Sequence, residues 1–294
     1  MTRSAERFVV FECAGDRCIG VLKEANAPSA LNVGVVIVVG GPQYRVGSHR
    51  QFRLLADALG EAGITSLRFD YRGMGDSEGE TRSFDSIAQD LKASVDTLLA
   101  ETRLPRAVLW GLCDGASAAL LYASEDPRVE GVVAVNPWAH AGQMRAYTLL
   151  KHYYGPRLFS HAFWRKVLSG RLNLWDSKKG FLKAVRAGVS DEAVPDSTAY
   201  LSRMQASWEK LGCPVFFVLS ENDFTAREFE EWIRRDRKRR RLFYRELSKI
   251  SFVPGADHTF STREWRDALA AKTIEWIQSR FAFQSSPDRD AKAS

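Results

Sequence analysis

The 294-residue chain has little of what would commit it to several common architectures. It holds four cysteines, at positions 13, 18, 113 and 213, spaced neither as metal ligands nor as a secreted disulfide framework. That sets aside zinc ribbons and disulfide-stapled folds and points to a reducing compartment. Cys13 and Cys18 flank Ala14-Gly15-Asp16-Arg17, a hairpin-turn segment that would let them bridge, but in such a compartment both are expected to stay free thiols. No apolar run approaches the roughly 20 residues of a membrane helix, the longest being Val33 to Val39. The stretch Met1 to Arg7 leads into a strand pattern without an apolar signal core, so a cytoplasmic protein is expected. Internal repeats are absent, which sets solenoids aside. Histidine is scarce, with five in the chain. Charge of one sign does not dominate either: 42 basic against 36 acidic side chains leave +6, which permits attraction to anions without requiring it.

What is present reads as one large α/β unit with an insertion. Residues 8–12 and 18–23 form two short antiparallel strands around the Ala14–Arg17 turn. From there the pattern alternates: strands at 33–39, 64–69, 107–110 and 131–135, with helices near 48–61, 84–99 and directly after 113. Near-continuous Val/Ile/Leu strands separated by amphipathic helices predict a mostly parallel, doubly wound sheet covered on both faces, with the hairpin extending one edge. Between about 138 and 210 the alternation stops, and aromatic and basic residues at helical spacing predict a helical lid; Trp138, Tyr147, Trp164 and Trp175 are among them. The sheet pattern resumes at 214–219, continues through a helix containing Phe229 and Trp232, a strand near 250–253 and a helix over 263–277. The expected division is a core in two parts, 1–137 and 211–283, a lid at 138–210, and a polar disordered tail at 284–294.

Gly111-Leu112-Cys113-Asp114-Gly115 has the spacing of a strained nucleophile elbow between the strand Ala107-Val108-Leu109-Trp110 and a small-residue helix. Side chains at 111 and 115 would collide with backbone in so sharp a turn. A thiol there projects from the sheet at a helix N-terminus, where N–H groups and the dipole favour an anion. A cysteine packed as a small apolar residue fits the same place. A nucleophile needs a base and a group to orient that base. Asp223 follows the strand at 214–219 and His258 follows the strand at 250–253, so both belong to the rim that carries Cys113. His258 would take the thiol proton and return one to the leaving group, while Asp223 would fix its tautomer. Taken singly, an Asp after a strand is also a helix cap and His258 a loop residue.

An oxyanion site needs two converging N–H donors. Asp114 N–H is one, and Gly41 N–H in Val39-Gly40-Gly41-Pro42 is the other, because Pro42 has none to give. The Asp114 carboxyl has two open dispositions, toward Cys113 or capping its own helix. Gln43 and Tyr44 after Gly41, and Trp138 at the head of the insertion, are the candidate substrate contacts, with the aromatic insertion forming an apolar acyl pocket.

Phe69-Asp70-Tyr71-Arg72-Gly73-Met74-Gly75-Asp76-Ser77, the elbow, and Pro254-Gly255-Ala256-Asp257-His258 together resemble the α/β-hydrolase fold over residues 8–280. The order nucleophile, Asp, His is that family's order. Gly40-Gly41-Pro42-Gln43-Tyr44-Arg45-Val46-Gly47-Ser48-His49-Arg50-Gln51 and the elbow resemble the exosortase A system-associated hydrolase 1 group of exopolysaccharide-making bacteria. That resemblance implies genomic association with a membrane peptidase-like sorting system and names no substrate. Cysteine in place of serine is similar to dienelactone hydrolases and polyhydroxyalkanoate synthases, and Val39 stands where a histidine often precedes the oxyanion glycine. Because a thiolate leaves readily from a tetrahedral intermediate, activated esters, lactones and thioesters suit it better than amides. The expected activity is hydrolysis of a small-molecule acyl substrate, with neither metal nor organic cofactor required. An acyltransferase on the same scaffold and a non-catalytic ligand- or partner-binding protein are the alternatives.

Two other motifs have plainer readings. Gly79 arrives one residue late for G-x-G-x-x-G after Gly73-Met74-Gly75, so no dinucleotide is expected. The basic run Arg234 to Arg241 is either a solvated helix end or a peripheral contact with an anionic membrane surface. Without interleaved aromatics it is not expected to bind nucleic acid.

Overall fold

The computed structural model describes residues 6–26, 31–41, 43–140 and 199–282. The predicted β-segments appear as β1 (Glu6–Cys13), β2 (Asp16–Lys23), β3 (Val33–Val38), β4 (Ser66–Phe69), β5 (Arg106–Leu112), β6 (Val129–Val135), β7 (Val215–Ser220) and β8 (Ser248–Val253). They form one sheet in the order β1-β2-β4-β3-β5-β6-β7-β8. The β1–β2 and β2–β4 pairs are antiparallel and the others parallel, so the hairpin does extend one edge of a parallel sheet.

Strand side chains alternate between two cores, as a period of two requires. On one face Val36, Val38, Leu109 and Phe217 pack with Leu91 and Val95 of α2 (Ala88–Thr102) and Ala118 of α3 (Asp114–Tyr122). On the other, Val35, Ile37, Trp110 and Phe216 pack with Phe52 and Leu55 of α1 (Gln51–Glu61). Helix α4 (Ala199–Lys210) stacks on α3: the Ser207 hydroxyl lies 2.9 and 2.8 Å from the Leu120 and Leu121 carbonyls, and the fully buried Trp208 ring is 5.2 Å from Phe217. Phe229 of α5 (Phe224–Arg234) closes this core, and Leu269 and Trp276 of α7 (Arg263–Phe281) close the opposite one. Of the stretch expected to be a lid, residues 141–198 lie outside the described residues, as does the tail at 284–294.

Two local differences from expectation have clear causes. The basic run does not continue α5 but forms a separate helix α6 (Arg237–Phe243), because Asp236 caps it by accepting the Arg239 N–H at 2.8 Å. The helix expected from 48 begins as a 3₁₀ turn in which His49 and Arg50 have φ of 52° and 60°. The Asp70–Ser77 motif is a brace. Arg72 pairs with buried Asp90 through Nε at 2.9 Å and Nη2 at 3.0 Å, and Asp70 accepts N–H bonds from Arg45 at 2.6 Å and Asp76 at 3.1 Å. A Cβ on Gly75 would overlap the Asp70 carboxylate, which accounts for the glycine without a nucleotide.

From β3 the chain crosses to β4 on one side and returns to β5 on the other. The carboxyl ends of β3 and β5 therefore flank a topological switch point, where open α/β sheets form their crevice.

Candidate active site

Cys113 is the whole connection between β5 and α3, at φ 61° and ψ −124°. For a residue with a Cβ such a conformation costs about 1–3 kcal/mol and persists only when its surroundings over-determine it. Here they do. Its N–H donates to Val135 O at 2.9 Å, and its carbonyl accepts from Ala116, Ser117 and Trp138 at 3.1, 3.2 and 3.1 Å. The flanking glycines are sterically required, since a Cβ on Gly115 would stand 2.6 Å from the Val38 carbonyl and one on Gly111 would overlap the Gly115–Ala116 backbone. Cys113 is half-buried. The other cysteines are also free, and burial pushes their thiols up: Cys13 to about 11, Cys18 to about 12 and Cys213 to about 11.

Asp223 is both a helix cap and the partner of His258. It heads α5, with Oδ1 accepting the Thr225 N–H and Oδ2 the Ala226 N–H, each at 3.1 Å, while Oδ2 also lies 2.9 Å from His258 Nδ1. The carboxylate side chain is 5% exposed and the imidazole 35%. Burial alone would lower the His258 pKa, but hydrogen bonding and charge from Asp223 and Cys113 outweigh it and raise it to about 10. The structure thus brings Cys113, His258 and Asp223 to one rim.

Asn136 also belongs to this rim, and sequence reasoning passed over it. Its Nδ2 donates to Ser220 Oγ at 2.9 Å and to the His258 carbonyl at 3.3 Å, while its Oδ1 accepts the Ser220 N–H at 2.8 Å. One amide therefore ties the ends of β6 and β7 to the histidine loop. Its signal was a polar residue directly after the apolar end of a strand, at φ 44°, where Asn is tolerated.

The expected oxyanion donors carry an unexpected occupant. Gly41 N–H donates to Asp114 Oδ1 at 2.5 Å. The backbone N–H groups of Gly115 and of Asp114 itself also favour its charged form. Asp114 thus reaches across to the loop after β3, a disposition that neither sequence alternative described. Burial holds its carboxyl above the usual carboxylate range, offset only in part by these N–H groups and the His258 charge. Gly40 is glycine for the same reason, because a Cβ there would overlap Leu112 O and the Asp114 carboxylate.

The candidate substrate contacts divide. Trp138 is anchored to the elbow, its carbonyl accepting from Ser117 Oγ at 2.7 Å and its ring 5.3 Å from His140. Gln43 braces its own loop, Oε1 accepting from Ser48 N and Oγ at 2.8 and 3.1 Å. Tyr44 is 48% exposed under the Arg45 guanidinium, 5.9 Å from its ring centre. Behind Trp138, Tyr200 OH accepts the His140 N–H at 2.8 Å, and buried Glu228 lies 3.4 Å from His140 Nδ1. Among the described residues no His/Cys/Asp/Glu cluster is arranged to hold a metal ion, and no helix is long and apolar enough to cross a membrane.

A sequence model of the Alpha/beta hydrolase family matches residues 35–272. The chain is 37% identical over 82 residues to the polyketide transferase grgF of a Penicillium species and 41% identical over 81 residues to the thiohydrolase apmlB of Arthrinium phaeospermum. These stretches cover 26% of this chain and 28% and 26% of those proteins, so the chain matches about a quarter of their length. Among solved structures it resembles an esterase of Pyrococcus furiosus, at TM-score 0.63 and 16% identity over 95% of this chain and 94% of the other. It also resembles the Penicillium α/β-hydrolase GrgF, at TM-score 0.61 and 20% identity over 95% and 100%. A dienelactone hydrolase of Anabaena variabilis is similar at TM-score 0.60 and 16% identity over 95% and 99%. At these identities the structures speak for the fold. With a match that runs from β3 into α7 across the sheet and both its faces, the chain belongs to the α/β-hydrolase family.

Proposed function

We propose that the protein is an acyl hydrolase that cleaves a carboxylic ester or thioester through an acyl-Cys113 intermediate. The observation that carries this reading is the 2.9 Å His258–Asp223 pair facing a cysteine held in a strained elbow. His258 accepts the thiol proton, and the sulfur attacks the acyl carbon, sending the carbonyl π electrons onto oxygen. That oxygen is held by the Gly41 and Asp114 N–H groups once the Asp114 carboxylate has yielded the first of them. As the intermediate collapses, the bond to the leaving oxygen or sulfur breaks and His258 protonates the leaving group. Water then gives a proton to His258 as it adds to the acyl carbon, and collapse returns the thiolate and a free acid. Asp223 keeps the ring's Nε2 aimed at the reacting atoms throughout.

Transfer in place of hydrolysis is the second reading, supported by the likeness to a polyketide transferase; an acceptor hydroxyl or amine then replaces water. The resemblance of residues 40–51 and 111–115 to exosortase-associated hydrolases supports a role in bacterial exopolysaccharide systems, in the cytoplasm. Arg237, Arg240 and Arg241, exposed on α6, would supply the peripheral contact with anionic lipid.

Intact-mass measurement with short acyl thioesters tests the proposal. Wild type gains one acyl group and the Cys113→Ala variant gains none. Loss of the adduct in buffer alone reports hydrolysis, and retention until an amine or polysaccharide is added reports transfer. An adduct of equal yield on Cys113→Ala would overturn the nucleophile assignment.

A further inference from the structure

We infer that the Asp114 carboxylate determines which acyl groups the site accepts, favouring those with a hydrogen-bond donor, a hydroxyl or an ammonium, on the carbon next to the reacting carbonyl. This rests on the proposed role of Cys113 as nucleophile. The starting point is geometric. Gly41 N–H, one of the two donors that an acyl oxygen needs, is bonded to Asp114 Oδ1 at 2.5 Å and so already holds an anion of the protein itself. Gly40 allows the approach, since any side chain there would overlap that carboxylate. The elbow cannot relax to free that donor, because Cys113 is fastened by bonds to Val135, Ala116, Ser117 and Trp138. An incoming carbonyl must therefore displace a carboxylate.

The cost of that displacement depends on the partners the evicted group finds. The carboxylate is half-buried, and loss of hydration is the largest influence on its protonation. Stripped of the Gly41 N–H in such a place, a charged acceptor loses a donor that water does not fully replace. A plain alkyl acyl group offers nothing in return. An acyl group with O–H or N–H on the carbon next to the carbonyl places a donor three bonds from the oxygen that evicted the carboxylate, and that donor offsets the loss. Selection of this kind, in which a site's polar group is left unpaired by the wrong substrate, discriminates more strongly than an apolar pocket does.

The test measures acylation of Cys113 by acetyl, glycoloyl and glycyl thioesters of one thiol, read by intact mass, in wild type, Asp114→Asn and Asp114→Ala. Wild type should take glycoloyl or glycyl at least about tenfold faster than acetyl. Asp114→Ala should bring the rates together by raising the acetyl rate. Asp114→Asn keeps the shape and an acceptor oxygen but removes the charge, so it should lose the glycyl preference first. The ratio of rates within each variant cancels any general loss of folded protein, and comparing that ratio between variants cancels the intrinsic electrophilicity of each thioester. A wild-type preference that survives both substitutions unchanged, or its absence in wild type, overturns this inference while leaving Cys113 as nucleophile. No adduct from any thioester, with Cys113 alkylated no faster than the other cysteines, overturns the nucleophile and this inference together.

Discussion

Cys18, inside the N-terminal hairpin, and Cys113, at the rim over the middle of the sheet, carry the same thiol into opposite surroundings. Cys18 has no exposed surface, and burial, with the charges of Cys13 and Asp90 adding, pushes it up to about 12. Cys113 stands half-buried at the N-terminus of α3, opposite an imidazole that keeps its proton to about 10. The reactivity proposed for Cys113 comes from where its strand stops. Along a strand a side chain is enclosed by a neighbouring layer, whereas at a carboxyl end it meets helix N-termini and the loops of other strands.

Removing the base breaks that contrast most severely. His258→Ala should slow acylation of Cys113 by about 10²–10⁴-fold, as loss of a positioned general base does; stopped-flow acylation by an activated thioester gives the number, and an unchanged rate would refute the assignment. In the core, Trp208→Ala should lower stability by about 3–5 kcal/mol through the cavity it leaves. Denaturant unfolding measures this loss, and the Cys113 acylation rate of the folded fraction should not move. Labelling sharpens the comparison directly. Near neutral pH iodoacetamide should modify Cys113 at least about tenfold faster than Cys13, Cys18 or Cys213, read by peptide mapping.

The smallest effect concerns pH and stability. The folded His258 pKa is raised to about 10, above the unfolded value of about 6.5. Its contribution is therefore complete below the unfolded value and disappears as pH rises through the folded one. Wild type should melt higher than His258→Gln near pH 6, and the gap should shrink toward pH 10. A constant gap would mean that the Asp223–His258 contact does not favour the protonated ring.

Much of this architecture was legible because the signals were local. A short apolar run such as Val33 to Val39, closed by Gly40-Gly41-Pro42, reads as a strand buried on both faces, and Gly111 and Gly115 mark a turn too tight for side chains. Asp223 and His258 were legible because each follows a strand, and parallel strands end on one side. Less legible were interactions whose partners are far apart in sequence. The Arg72–Asp90 pair and the ties from Asn136 to Ser220 and His258 join segments 18, 84 and 122 residues apart. Periodicity carries no record of such pairs, since it reports which face a residue occupies and not which atom it meets.

The amino-acid order alone determined the layering, the elbow and the set of residues available for chemistry, because strand and helix periods and the steric demands of glycine act over a few neighbouring positions. Tertiary structure alone decided what the Asp114 carboxylate does. Its bond to Gly41 spans 73 residues and exists only because β3 and β5 lie side by side, bringing two loops within hydrogen-bond distance. A side chain that sequence could place at a helix start is, in three dimensions, the acceptor of the Gly41 N–H.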